Sequence, residues 1–434
     1  MSGLDRRTLL GSVGTGALAS VAGCVDLLGS DDSPRRFEGD ELGAILSTDA
    51  PDVVRPVPVQ PSEDATTASV DRLEGLIESV PDPLEPDDVP NEAVRRRVDR
   101  QREIAEYRRD ALERSPDRFR RYVSSVRARR YAGQATGSLA AVDGDLSRSD
   151  VVEDRDEVLG ELETRLAGID HVGDDRDRTL VLEHRLEREL GTAKRFLENR
   201  PRDRYGNEAL DLGDAAGTIE RARGVVSFVE AVQRRHDERL EDGRSFASTF
   251  DTALDRSLEA VESVDVVDRW NEPSAMTDAD VSGTPAERLL VEAGRTTSST
   301  ARRTTARADG GQTASALRYA AAFERDRRAL KAIRERIEDG AHREIDSVDD
   351  VRDVREAALE AAADAPFDPD DPTLGGDLLA DAYGRIENAD DLVREYLEEG
   401  RSYDLFRQYA DYATIGAQLD ALPDAIATLE ERFD

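Results

Sequence analysis

The chain of 434 residues carries 95 acidic against 60 basic side chains, a formal charge of −35, with one cysteine and 5% aromatic residues. Of the bases, 58 are arginine and two, Lys194 and Lys331, are lysine. So acidic a balance excludes nucleic acid as a general partner, because carboxylates and phosphates repel. A lone cysteine excludes an intrachain disulfide framework.

At the start of the chain, Arg6 and Arg7 precede an apolar run from Leu9 to Ala22. A bilayer span needs roughly 20 apolar residues, and Gly11, Gly14 and Gly16 dilute this shorter run. The pattern predicts a cleaved signal over residues 1–23 rather than a transmembrane anchor. Asp5-Arg6-Arg7-Thr8-Leu9-Leu10 resembles the twin-arginine export motif. Val21-Ala22-Gly23-Cys24 resembles a lipobox, with valine where leucine is usual. The opening stretch is therefore similar to the signals of haloarchaeal twin-arginine-exported lipoproteins. That resemblance covers the signal alone. It implies export in the folded state, cleavage before Cys24 and a lipid on the Cys24 sulfur, which anchors the chain on the extracytoplasmic face of the cell membrane. The body is similar to proteins of salt-loving archaea in composition only, through its acidity and its two lysines.

Residues 24–63 read as a lipidated flexible tether. Pro34, Pro51, Pro56, Pro58 and Pro61 interrupt any helix, and VVRPVPVQP (53–61) favours an extended path. A coil of about 40 residues spans roughly 35 Å, enough to lift the body clear of the headgroups. From residue 64 the pattern becomes helical. Val152, Leu159, Leu162, Leu166 and Ile169 recur at helical spacing. So do Leu182, Leu186, Leu190, Ala193 and Leu197, and again Leu212, Ala215, Ile219, Ala222, Val226 and Val229. Charged residues flank each stripe, which marks amphipathic helices packed on one face. Breaks fall at Ser115-Pro116, Asn199–Pro201, Asp242-Gly243, Glu272-Pro273, Gly310-Gly311 and Pro366–Pro369. These signals predict an all-α array of about eleven or twelve antiparallel helices, as bundles or as a solenoid-like stack. The polar stretch 271–285 is the expected linker between a helical domain at 64–270 and a second one at 286–434. Arg-Tyr-Ala occurs in both, at 130–132 and 318–320.

Chemistry-bearing motifs are sparse. His171, His184, His236 and His342 are never three or four residues apart, so no zinc helix is spelled out. His236 falls on an apolar stripe and reads as a packed histidine. DPDDPTLGGD (368–377) has acids and glycines without the spacing of a calcium loop and reads as a helix linker. No phosphate loop and no Gly-x-Ser-x-Gly elbow occurs. No catalytic residue, cofactor or metal ligand is assigned.

Two features rise above this background. From Arg95 to Arg130 there are 14 arginines against six acids, and from Arg295 to Arg336 eleven bases against four acids. Arg95, Arg96, Arg97, Arg120, Arg121, Arg129 and Arg130 are the candidate basic surface for a partner. The competing reading is internal cancellation against neighbouring acidic helices. The second feature is that Tyr383, Tyr396, Tyr403, Tyr409 and Tyr412 crowd the last 52 residues. With Phe406, the 403–406–409 step suggests one helix side, serving either as a binding groove or as a core helix.

These readings converge on a lipid-anchored extracytoplasmic helical protein that binds or scaffolds a protein partner at the cell surface. The alternatives are a solute-capturing lipoprotein serving a transporter and a helical metal-dependent hydrolase.

Overall fold

The computed structural model describes residues 35–198, 204–264, 269–342, 344–400 and 402–434. Arg6, Arg7, Cys24, the start of the expected tether and the break at Asn199–Pro201 lie outside them. The described chain is all-α. Its sole sheet among these residues is a two-stranded antiparallel ribbon, β1 (Val172–Gly173) with β2 (Arg244–Ser245).

Several helices begin where a small polar side chain can satisfy their open N–H groups. Ser62 accepts from Ala65 N ahead of α1 (Glu63–Glu78), and Asn91 from Ala93 N and Val94 N ahead of α2 (Glu92–Asp110). Asp117 caps α3 (Arg118–Asp143), which Gly144 ends in a left-handed turn at φ 82°. Then come α4 (Arg148–Ala167), α5 (Arg176–Glu198) and α6 (Glu208–Asp237). The second half holds α7 (Ala247–Glu262), the four-residue α8 (Pro273–Met276), α9 (Pro285–Asp309) and α10 (Thr313–Glu338). It closes with α11 (Val348–Ala363), α12 (Leu374–Glu399), α13 (Phe406–Asp420) and α14 (Leu422–Phe433). The additional helices over the expected number come from short pieces, such as α8 and the separation of α13 from α14 near Pro423.

In the first half α3 runs antiparallel to α6, with α1 and α2 on its other side and α4 and α5 against α6. The second half centres on the α9–α10 hairpin, turned at Gly310-Gly311 and packed by α7, α13 and α14. Helix α5 reaches across to α10 and α12. Contacts this distant in sequence do not occur in a stack whose repeats touch only their neighbours, and residues 35–434 form one compact unit. Residues 271–285 are part of it: Met276 and Val281 are buried with Leu289, Leu290 and Ile333. Helix α7, which precedes them in sequence, packs on α10 and α14.

Two expectations need correction. The segment expected to be a free tether is packed from Arg35 on. Phe37 pairs with Tyr403 across an antiparallel bridge, and a 3-10 helix (Gly39–Leu46) buries Leu42 and Ile45 against α11 and α12. Residues 53–61 do run without helix, yet Val59 is buried in the first core, and arginines donate to the strap's carbonyls. Arg355 Nη1 reaches Thr48 O at 2.8 Å, and Arg120 Nη2 reaches Arg55 O at 2.6 Å. The stripe of α4 also differs: Val152 is exposed, while Val151 and Val158, one heptad apart, pack against the core. Adjacent valines leave both rotations open in sequence, and contact with the first core selects one.

Candidate functional site

Burying an arginine is costly without a carboxylate beside it, because an unpaired ion loses its hydration without return. The interior of this protein is built from such pairs. Asp377 of α12 is fully buried and takes Arg185 of α5 on one oxygen and Arg318 of α10 on the other, at 2.5 and 2.7 Å. Burial pushes the Asp377 carboxyl upward, but Arg318, Arg185 and Arg55 outweigh it and hold it well below the usual carboxylate range. Glu187 of α5 accepts from Ala314 N at 3.1 Å and Ser315 N at 2.6 Å, capping α10 from outside its own chain segment. Its burial raises its pKa to about 7, against those same hydrogen bonds.

Above this layer opens a cavity of about 430 Å³ between α5, α9, α10, α12 and α13. Helix α9 supplies Arg295 and Arg303 to its wall, and α10 supplies Arg318 and Arg325. Arg188 enters from α5, Arg385 from α12 and Arg407 from α13; Arg55 arrives from the N-terminal strap. Eight arginines thus meet three lining carboxylates, Glu292, Asp381 and Asp411. Asp381 pairs with Arg55 and Arg318, Glu292 with Arg295 at 2.5 Å, and Asp411 with Arg407 at 3.8 Å. Just behind the wall, Arg188 meets Glu189 at 3.1 Å and Arg325 meets Asp326 at 2.8 Å.

Arg303 and Arg385 have no carboxylate within 4 Å among the described residues. Arg303 lies over the Tyr319 ring, 5.6 Å from its centroid, and Arg385 donates to Gln418 Oε1. Burial lowers the Arg385 pKa, and the Arg325 charge lowers it further. The cavity is therefore a concentration of forked donors with fewer acceptors than donors, which suits multiply charged oxyanions. At its floor His184 is fully buried, its Nδ1 3.1 Å from Ser315 Oγ. Burial, then the Arg318 charge, holds that imidazole neutral, with its pKa well below the ordinary histidine value.

The arginines singled out at 95–130 do not form one surface. Arg129 is buried, with Nε 2.8 Å from Glu220, and Arg130 is 3.6 Å from Asp214. Arg97 donates to the Tyr205 hydroxyl at 2.9 Å, Arg95 to Val89 O at 2.7 Å, and Arg120 pairs with Asp117. Arg96 and Arg121 are exposed, Arg96 beside Glu92 at 3.1 Å. For Arg129 and Arg130 the physical reason is α3's central position: packed on two sides, it turns both toward acids of α6.

The second arginine excess, at 295–336, does feed the cavity. Arg55, Arg188, Arg385 and Arg407 gave no signal, because each sits in an ordinary amphipathic or loop context and convergence is purely spatial. Tyr383, Tyr409 and Tyr412 belong to the core, with the Tyr412 hydroxyl 2.7 Å from Asp390. Tyr403 shares no helix with Phe406 and Tyr409; α12 stops at Gly400, left-handed at φ 61°, and Tyr403 bridges to Phe37 instead. His236 Nε2 packs 2.8 Å from Val172 O. Among the described residues no group of three His, Cys, Asp or Glu side chains is placed to hold a metal ion.

Residues 64–242 match a family model described as "Domain of unknown function (DUF8262)", and residues 247–431 one described as "Domain of unknown function (DUF8264)". No curated protein and no solved structure matches. The two matched segments meet at the β2 ribbon, ahead of α7. The cavity draws on both, through Arg188 of the first and α9, α10, α12 and α13 of the second.

Proposed function

We propose that this chain is a lipid-anchored extracytoplasmic binding protein that captures a multiply charged anion in the arginine-lined cavity. The observation that carries the reading is the charge of the wall: eight arginines against three carboxylates in a chain of charge −35, with Arg303 and Arg385 in no ion pair among the described residues. Between the scaffold and solute-capture readings, this favours capture of a solute, because the arginines that suggested a protein-binding face are dispersed over different environments and form no single surface. The membrane location rests on the signal-like residues Arg6 and Arg7 and on Cys24.

Titration calorimetry at fixed ionic strength with pyrophosphate, sulfate and citrate tests the site. Binding of at least one of them, weakened about tenfold by Arg303→Gln or Arg385→Gln, is the expected result, a loss of about 1.4 kcal/mol. Equal affinities in both variants sink the cavity as the site. For the anchor, Cys24→Ser leaves the protein in the soluble fraction or unprocessed; a variant normally cleaved and still membrane-bound sinks the lipidation.

A further inference from the structure

The positive charge does not stop at the cavity wall. Arg188 lines the cavity and meets Glu189 Oε1 at 3.1 Å; Arg127 of α3, from outside the cavity, reaches the same oxygen at 3.5 Å. Two guanidinium groups that share one buried carboxylate oxygen leave a positive charge uncompensated between them. Beyond Arg127 lies Phe196 of α5, exposed despite its apolar ring, with Arg221 at 4.7 Å and Arg130 at 5.8 Å from its centroid.

Arg221 has no carboxylate within 4 Å among the described residues, and its buried Nε and that of Arg130 lack a hydrogen-bond partner. Burial lowers the Arg221 pKa; Glu189 opposes that, while Arg127 and Arg130 add to it. On the other flank Arg307 follows Arg303 by one turn of α9, its pKa lowered by burial and by the charge of Arg195.

We propose that the ligand is a linear polyanion, such as a polyphosphate chain, whose end seats in the cavity and whose body lies along Arg188, Arg127, Arg130 and Arg221. This rests on the cavity reading above and extends it from a compact anion to an elongated one. The chemistry is that of closely spaced oxyanions along a chain. Each arginine offers a planar fork to one or two of them, and successive contacts act as one multivalent attachment. Phe196 holds Arg130 and Arg221 in place by its ring face, where a cation is favoured. A compact anion such as pyrophosphate sits within the cavity and leaves this row unused.

The test compares pyrophosphate, tripolyphosphate and long-chain inorganic polyphosphate, with ends per mole held equal, on the full mature protein at constant ionic strength. Affinity is expected to rise about tenfold or more from pyrophosphate to the long chain. The triple change Arg127→Gln, Arg130→Gln, Arg221→Gln removes that gain and leaves pyrophosphate binding as it was. Since Arg130 is half-buried, the exposed Arg127→Gln alone serves as a second variant that keeps the fold, and circular dichroism checks each. Binding of pyrophosphate with no gain from chain length overturns the extended track and leaves the cavity reading standing; binding of no anion at all overturns both. Recruitment to phosphatidylglycerol vesicles that depends on Arg127, without a chain-length effect in solution, assigns the row to a membrane and likewise overturns the proposal.

Discussion

His184 of α5 and Asp377 of α12 are far apart in sequence and share one buried layer, and their titration bears on stability in the same direction. The unfolded imidazole takes a proton near pH 6.5, whereas the folded one stays neutral well below that. Folded protein therefore binds fewer protons below pH 6.5, and stability falls as the medium is acidified. The slope from this single group approaches about 1.4 kcal/mol per pH unit. Asp377, held low by its arginines, adds a further loss only as pH falls below the ordinary aspartate value near 4. His171 works the other way. Burial lowers its pKa, but Glu183 more than offsets this, so its net-raised value adds stability below pH 6.5 that is lost as pH rises through the folded pKa. Denaturant midpoints between pH 5 and 7 for the natural protein and His184→Gln separate these terms. The variant is less stable at pH 7 but is expected to lose the His184 share of the slope; parallel curves contradict a buried neutral imidazole.

Helices α3 and α6 pack closely enough that backbone meets backbone. A Cβ on Gly217 sits 2.3 Å from Arg130 O, and one on Gly213 sits 2.7 Å from Gln134 O. Neither obstacle is a flexible side-chain tip, so an added methyl must separate the helices. Gly217→Ala is expected to cost about 1 to 3 kcal/mol, the usual range for overpacking, although alanine is the better helix former. Thermal melts of Gly217→Ala beside Gly75→Ala, where a Cβ meets nothing within 4 Å, give the comparison. A stabilised Gly217→Ala contradicts the close approach. The same contact explains why α3 keeps Arg129 and Arg130 against α6 rather than in solvent.

The charge of −35 acts over the whole molecule. Internal pairs consume many arginines, which leaves a surface excess of carboxylates that repel one another until salt screens them. The Debye length shortens from about 10 Å at 0.1 M to about 3 Å at 1 M salt. Melting temperature is expected to climb between 0.1 and 3 M potassium chloride; a flat response argues that the acidity does not serve life in salt. A weakening of anion binding over the same range is expected too, and it is smaller where bidentate guanidinium contacts carry the affinity.

The helices were legible in the chain because burial on one face imposes a period that residues such as Leu182, Leu186, Leu190, Ala193 and Leu197 display without any partner present. Helix ends were legible for a similar local reason, through Ser115-Pro116, Asp242-Gly243 and the Gly310-Gly311 turn. The assignment of each arginine was not. Arg129 and Arg303 stand in equally basic stretches, and only the packing of α3 on α6 pairs the first with Glu220 while the α9–α10 hairpin leaves the second facing a cavity. Composition likewise suggested a tether through residue 63, since its prolines interrupt helices, but proline says nothing about whether the segment is free, nor does it prevent the short 3-10 helix between Pro34 and Pro51. Docking of Phe37, Leu42 and Ile45 onto α11, α12 and the loop at Tyr403 decided that, and it brought Arg55 into the site. Periodicity is a property of neighbours along the chain; charge compensation depends on which surfaces meet, and that is settled only when the helices assemble.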